Sequence, residues 1–296
     1  MASRPADSPK QPNATALTLV VAALLSGCAA GSAVRPEPTA ARPKYGADAT
    51  PLSRDHAYFR QADAPDYWAL APYYTAQQDE RSCSVASITM IVNGARTTRA
   101  LGSEDQLASQ PLVLGRSGSE AWQRAVGSLG MGVTLDELAG YAIAALRAYG
   151  FASATAEVLH VDLTVASVTM VHDLLVENER SPTDFLVANF DQGSYTGDVH
   201  AGHIAPVAAY DAARRRVLVL DPDRRWYEPY WVREEVFVAG LATRDPVSGK
   251  SRGLLRIQPE GLGRPSVPLN APTATLLGGH SPAQVAQAPL PLSPLE

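Results

Sequence analysis

Proline sets the limits of what this chain can fold. Eight prolines fall between residues 259 and 296 (at 259, 265, 268, 272, 282, 289, 291 and 294), and after Glu260 only Arg264 and Glu296 carry charge. Each proline fixes φ and removes a backbone donor, so no helical or strand period survives that density, and residues 259–296 are expected to be disordered. The other end is similar in kind. Residues 28–52 are rich in Ala, Pro, Gly and Ser, with Pro36, Pro38 and Pro43 closely spaced, and read as a flexible tether. What remains is one folded domain over residues 53–258, long enough for a sizeable interior. The chain is 46% hydrophobic and 19% charged, which excludes collagen, coiled coil, a polytopic membrane protein and a wholly disordered chain. A net charge of -5, with no basic run longer than residues 214–216, gives no electrostatic footprint for nucleic acid.

Within the domain the hydrophobic period changes once. Val85, Ile88 and Val92, flanked by Met90 and Ile91, predict a buried helix over residues 83–95 that starts at or just after Cys83. Thr134 and Glu137 have capping-box spacing and open a second helix that Gly150 closes. A third is expected over residues 168–177. Later runs at 185–190, 204–210 and 216–220 read as strands, the last two as an antiparallel hairpin about a polar turn at 211–215. Helices first and antiparallel strands afterwards predict an α+β fold.

The two cysteines have different prospects. Arg4 and Lys10 precede a short apolar run over residues 16–25, and Leu25, Ser26, Gly27 and Cys28 follow. That is a charged region, a short apolar region and a small-residue cleavage site, too short to span a bilayer, which needs about 20 residues. The Leu-Ser-Gly-Cys sequence resembles the bacterial lipobox. The resemblance implies a signal peptide over residues 1–27, acylation of Cys28, and a lipoprotein anchored in the cell envelope and facing the periplasm. Ala29 after the cysteine implies the outer membrane rather than the inner. Cys83 is then the lone thiol of the mature chain, a liability in an oxidising compartment unless it has work to do.

Cys83 sits where a helix N-terminus favours a thiolate. A hairpin turn centred on Ala212 would set His203 opposite Asp221, Ala205 opposite Val219 and Val207 opposite Val217, with opposed side chains about 5 Å apart on one face. A bulge in the turn would shift this register by one. An aspartate beside a histidine fixes its tautomer and leaves the second ring nitrogen as a base. Gln77, six residues before Cys83, could add its amide to an oxyanion hole with the Cys83 backbone N–H. Nucleophile, base, orienter and oxyanion donor make a complete set for thiol acyl transfer. His200 and His203 form an H-x-x-H pair, but with only Asp198 near in sequence the set is too thin for a zinc site, and no metal site is expected. His56, His160, His172 and His280 read as fillers, and Trp226, Tyr230 and Trp231 as core.

Residues 77–93 (QQDERSCSVASITMIVN), the Gly-His-x-x-Pro element at 202–206, Leu220-Asp221, residues 224–232 (RRWYEPYWV) and residues 248–253 (SGKSRG) together resemble phytochelatin synthase, a papain-like family of glutathione γ-glutamylcysteinyltransferases. The resemblance spans roughly residues 70–257. It implies a papain-like fold, with the nucleophile on a helical first part and the His and Asp on an antiparallel second part. It makes Cys83 the nucleophile, His203 the base, Asp221 the orienter and Gln77 the oxyanion donor, and it places Arg224 and Tyr227 near the substrate pocket. Ser84 stands where the family usually has Gly and is expected to narrow the acyl pocket.

The implied substrates are glutathione and its heavy-metal thiolate complexes (cadmium, zinc), with no built-in cofactor, and the resemblance leaves a homodimer open. The cysteine-rich C-terminal domain of eukaryotic members is missing here, which shifts the expectation toward hydrolysis to γ-Glu-Cys and away from phytochelatin synthesis. Two other readings stay open: a general papain-like cysteine peptidase of the cell envelope, and a non-catalytic lipoprotein that binds thiols or metal.

Overall fold

The computed structural model describes residues 43–259. Cys28, its lipobox, His280 and the proline-rich tail lie outside them. In chain order the elements are β1 (Ala49–Pro51), α1 (Pro65–Leu70), α2 (Cys83–Arg96), α3 (Gln110–Ser117), α4 (Glu120–Val126), α5 (Leu135–Ala148), β2 (Thr155–His160), α6 (Val165–Arg180), β3 (Phe185–Asp191), α7 (Gln192–Thr196), β4 (Gly202–Asp211), β5 (Arg216–Val219), β6 (Tyr230–Arg233), α8 (Glu234–Leu241) and β7 (Gly253–Gln258).

Among the described residues the strands form one sheet, ordered β1-β6-β5-β4-β3-β7-β2, and every neighbouring pair is antiparallel. The α+β expectation holds, with a different arrangement of helices. Along β3, Phe185 and Val187 face one core, which holds side chains of α1 to α5, while Leu186, Ala188 and Phe190 face a second core built with α6, α7 and α8. Period-2 alternation on a strand apolar at every position gives a sheet buried on both sides. The helices between the strands cover the second face.

Local signals read from sequence reappear. The capping box of α5 is complete: Glu137 N–H donates to Thr134 Oγ1 at 3.3 Å and Thr134 N–H donates to Glu137 Oε2 at 2.9 Å. Helix α6 is longer than expected at both ends, capped by Thr164, whose hydroxyl accepts from Ser167 N–H.

The tether reading fails over residues 43–52. Ala49, Thr50 and Pro51 pair with Val232, Trp231 and Tyr230 at the sheet edge, and Ala49 and Pro51 are buried there. A proline is tolerated on an edge strand because its missing N–H costs no ladder bond on the open side.

The hairpin register also differs from expectation. Val207 pairs with Val219, Tyr210 with Val217 and Asp211 with Arg216, with an irregularity between Val207 and Ala209. The turn is tightened by the bond from Arg214 N–H to Asp211 O and closes through Arg215 at φ 46°. Val207 therefore does not face Val217, and Asp221 lies beyond the end of β5.

Three aromatics expected in the core divide. Tyr230 and Trp231 are buried, whereas Trp226 is 54% exposed.

At the back of the molecule Glu179, on the last turn of α6, accepts from the Tyr58 hydroxyl at 2.8 Å and from Tyr210 N–H. Burial pushes its pKa up to about 7, against the lowering effect of those two donors. A carboxyl with a raised folded pKa binds more protons folded than unfolded, so its contribution to stability falls as pH rises from the ordinary glutamate range through about 7. Glu179→Gln is expected to flatten the decline in Tm between those limits, measured by thermal melts across the window.

Candidate active site

Cys83 is the first residue of α2. The preceding N-cap, Ser82, does not cap the helix with its side chain. Its hydroxyl instead accepts from Gln78 N–H and Asp79 N–H, both at 2.9 Å, and donates to Asp79 O at 3.0 Å, which folds residues 78–82 into a compact turn that delivers Cys83. One helical turn further on, Ser87 Oγ donates to Ile204 O at 3.0 Å. That bond ties α2 to β4 next to His203, so the cysteine and the histidine face each other across the junction of helix and sheet.

The triad is assembled and nearly closed to solvent: Cys83 is 8% exposed, His203 5% and Asp221 0%. His203 Nε2 lies 2.7 Å from Asp221 Oδ1, and Cys83 lies near enough to the imidazole to contribute to its electrostatics. With Nε2 committed to Asp221, Nδ1 is the nitrogen left for the thiol. Phe190 stands edge-on to the imidazole at 5.5 Å. Burial alone would lower the His203 pKa, but the Asp221 charge and hydrogen bond, with a further contribution from Cys83, hold it well above the ordinary imidazole value. Burial would raise Asp221, yet His203 and the donors around the carboxylate hold it below the usual range. Both shifts describe one ion pair, stable in the charged form.

Several residues that the sequence analysis did not assign to the site build the surroundings of Asp221. Tyr230 Oη donates to Asp221 Oδ2 at 2.8 Å, Gln192 Nε2 to the same oxygen at 3.3 Å, and Asp223 N–H to Oδ1 at 2.9 Å. The Tyr74 hydroxyl donates to the Asp221 carbonyl at 2.6 Å. A buried carboxylate with donors on both oxygens is fixed in orientation and kept ionised. No spacing rule points to these residues, because they come from four separate segments.

The other expected site residues are distributed around this core. Gln77 is anchored by its main chain, its N–H donating to Pro222 O at 2.8 Å, and its side-chain Oε1 is buried with no hydrogen-bond partner among the described residues. Gln110 Nε2 donates to the neighbouring Ala76 O at 2.7 Å and holds that loop from α3. Ser84, expected at the acyl pocket, is buried, and its hydroxyl accepts the Trp122 indole N–H at 3.1 Å; its side chain packs among the helices. Arg224 lies over the Tyr74 ring at 4.4 Å and donates to Tyr74 O at 3.2 Å. Tyr227 Oη donates to Asp198 Oδ2 at 2.8 Å. Both line a cleft of about 390 Å³ with Lys44, Tyr45, Tyr74 and residues 225–229. His200 pairs with Asp191 at 2.7 Å, His160 with Asp136, and His172 with Glu234 and the Tyr210 hydroxyl, so His160 and His172 are partnered rather than fillers.

Arg252 is the most informative residue missed. It is 6% exposed, and its Nε and Nη1 are buried without a partner among the described residues. Its guanidinium lies against Gly202, the residue before His203: a Cβ at Gly202 would come within 2.6 Å of Arg252 Nη2. A larger residue at 202 would therefore have to displace the Arg252 guanidinium. An unpartnered buried guanidinium costs several kcal/mol, and such a group is matched by a carboxylate, which it can bind in bidentate fashion. The Ser-Gly-Lys-Ser-Arg-Gly run at 248–253 contained this residue, but only its burial shows what it can do.

Fold and site together define a class: an α+β protein in which a cysteine at a helix N-terminus meets a strand-borne histidine oriented by a buried aspartate, the constellation used in thiol acyl transfer. The particular family follows from comparison with known proteins. The chain belongs to the phytochelatin synthase family, whose sequence profile matches residues 53–254. It is also 25% identical over 197 residues to a protein of Schizosaccharomyces pombe named glutathione gamma-glutamylcysteinyltransferase; the match covers 66% of this chain and 44% of the relative. The chain thus spans less than half the length of that relative.

Proposed function

We propose that this protein is a papain-like thiol acyltransferase acting on glutathione. The observation that carries the reading is the buried His203–Asp221 pair with Cys83 beside it at the start of α2, in a chain of this family. In the proposed reaction the Cys83 sulfur attacks the carbonyl of the Cys–Gly peptide bond. The oxyanion is held by the Cys83 backbone N–H and the Gln77 amide. His203 passes its proton to the nitrogen of the departing glycine, leaving γ-Glu-Cys as a thioester on Cys83. Attack by water then releases γ-Glu-Cys, while attack by the α-amine of a second glutathione lengthens the chain by one γ-Glu-Cys unit. In either case the attacking group loses its proton to His203 and the thiol is regenerated. Heavy-metal thiolate complexes of glutathione are forms of the substrate and link the reaction to metal detoxification. Attachment to the cell envelope, at the outer membrane, through acylated Cys28 belongs to the same proposal.

Arg252 supplies the substrate contact, pairing its free guanidinium face with a glutathione carboxylate. Arg252→Met is then expected to raise KM for glutathione by about 10- to 100-fold, the range for loss of a charge-assisted hydrogen bond, with a smaller effect on kcat. The same change is expected to raise the Tm of the ligand-free protein, because it removes a buried group with no partner. Steady-state kinetics and thermal melts check the two together. A fall in Tm with KM unchanged would mean that Arg252 serves packing alone.

The reading is tested by incubating glutathione with the purified protein, with and without cadmium, and following products by mass spectrometry. γ-Glu-Cys and glycine are the products expected from hydrolysis, and a ladder of γ-Glu-Cys repeats the products expected from transfer. Cleavage of unrelated peptides with glutathione left intact would replace this reading with a general peptidase.

A further inference from the structure

The segment at and just before the start of the family-matched region lies along β6, the strand that carries Tyr230. Ser53 N–H and Oγ donate to the Glu228 carboxylate, Leu52 N–H donates to Pro229 O at 2.8 Å, Pro51 pairs with Tyr230, and Arg233 bonds Asp48. At the head of this strap Tyr45 Oη accepts from Glu228 N–H at 3.1 Å. Its ring meets Tyr227 edge-on at 5.6 Å and Tyr230 at 5.8 Å, and those two meet each other at 6.1 Å. The result is a closed triangle of aromatic rings, one of which, Tyr230, ends in the hydroxyl that holds Asp221 Oδ2 at 2.8 Å.

We propose that the strap of residues 44–51 is part of the catalytic unit, with Tyr230 as a positioning residue for Asp221 and Tyr45 as the ring that keeps water from the Asp221–His203 pair. The inference rests on the proposed thiol chemistry of that triad and adds a requirement for a segment outside residues 53–254.

Two physical points support it. The attraction within an ion pair grows as water is excluded, and Tyr45 and Tyr227, which line the cleft, both pack edge-on against the fully buried Tyr230 ring. Burial and then the Asp221 charge push the Tyr230 hydroxyl well above its ordinary pKa, so it remains a donor. Tyr227 is committed to Asp198, which leaves Tyr45 as the member of the triangle that arrives from outside the matched region.

The test uses the full chain, the variants Tyr45→Ala, Tyr45→Phe and Tyr230→Phe, and two readouts. The first is the low-field proton resonance of the His203 Nε2–H bonded to Asp221, assigned by its loss in His203→Ala. The second is kcat and KM for glycine release from glutathione. In Tyr45→Ala the resonance is expected to broaden through faster exchange with water, and kcat to fall about tenfold, a change of about 1.4 kcal/mol, with KM nearly unchanged. Tyr45→Phe keeps the ring and is expected to retain both. In Tyr230→Phe, which keeps the ring and removes the donor, the resonance is expected to shift and kcat to fall roughly tenfold or more, as for loss of a hydrogen bond to a charged group.

Wild-type resonance and kcat in both Tyr45→Ala and Tyr230→Phe would overturn the proposal, as would a wild-type protein showing no protected His203 proton. If glutathione is not the substrate, all variants and the wild type lack turnover, yet the resonance still reports whether the strap seals the pair.

Discussion

Cys83→Ala is expected to bring γ-Glu-Cys formation down to the level of enzyme-free glutathione, a loss on the order of 10⁶-fold by comparison with nucleophile removal in hydrolases. The structure offers no other thiol among the described residues, so no neighbouring group can take over the attack. Folding should survive. The side chain is small, and the helix it opens is held by Val85, Ile88 and Ile91 in the core and by the Ser87–Ile204 bond. Mass spectrometry of the products, beside a thermal melt that stays within a few degrees of wild type, separates lost chemistry from lost structure. Residual Cys83-independent glycine release at the wild-type rate would sink the acyl-enzyme reading and leave a binding role for the site.

Asp221→Asn carries the second large effect and acts on rate and stability together. The carboxylate accepts from His203, Asp223 N–H, Tyr230 and Gln192. An asparagine has a single acceptor oxygen, and its NH2 group must face at least one of these donors. One or more buried groups are left unpaired and His203 loses the charge that sets its tautomer. We expect kcat to fall on the order of 10³- to 10⁴-fold, as when the equivalent carboxylate is neutralised in other triads, and stability to fall by about 3 kcal/mol or more.

The pH dependence follows from the direction of each shift. His203 is raised, so its contribution is complete below the ordinary imidazole pKa and is lost as pH rises through the folded value. Asp221 is lowered, so its contribution is present above the ordinary carboxylate pKa and is lost as pH falls through the folded value. The pair therefore stabilises most between the ordinary carboxylate and imidazole values, and Asp221→Asn should remove both limbs from the Tm profile. An unchanged profile in the variant would show that the pair is not ionised in the folded protein.

The arrangement also explains the short sequence elements around the triad. At Gly202 the absence of a side chain leaves room for the Arg252 guanidinium. Pro206 sits in a central strand, where it cannot donate, but its carbonyl still accepts Leu220 N–H at 3.0 Å, which helps carry the chain to Asp221. Ser84, next after Cys83, is buried, and its hydroxyl accepts the Trp122 indole N–H.

Much of this protein was legible in the sequence because the signals are local. The start of α2 at Cys83, the capping box of α5, the strand at residues 185–190 and the Gly-His-x-x-Pro element each depend on a few consecutive residues, whose period or cap chemistry acts within one or two turns. The tertiary structure decided what depends on distant partners. Arg215 in the left-handed region and the irregularity after Val207 reset the hairpin, so Asp221 reaches His203 from beyond the strand end and not from a directly opposed position. The donors that keep that carboxylate ionised arrive from Gln192, Asp223 and Tyr230, and residues 49–51, in a stretch whose composition reads as a tether, become an edge strand once β6 is there to pair with them. Hydrogen bonding to a buried charge requires groups brought within about 3 Å of one another, and no local pattern in a sequence records which remote residues the fold will place there.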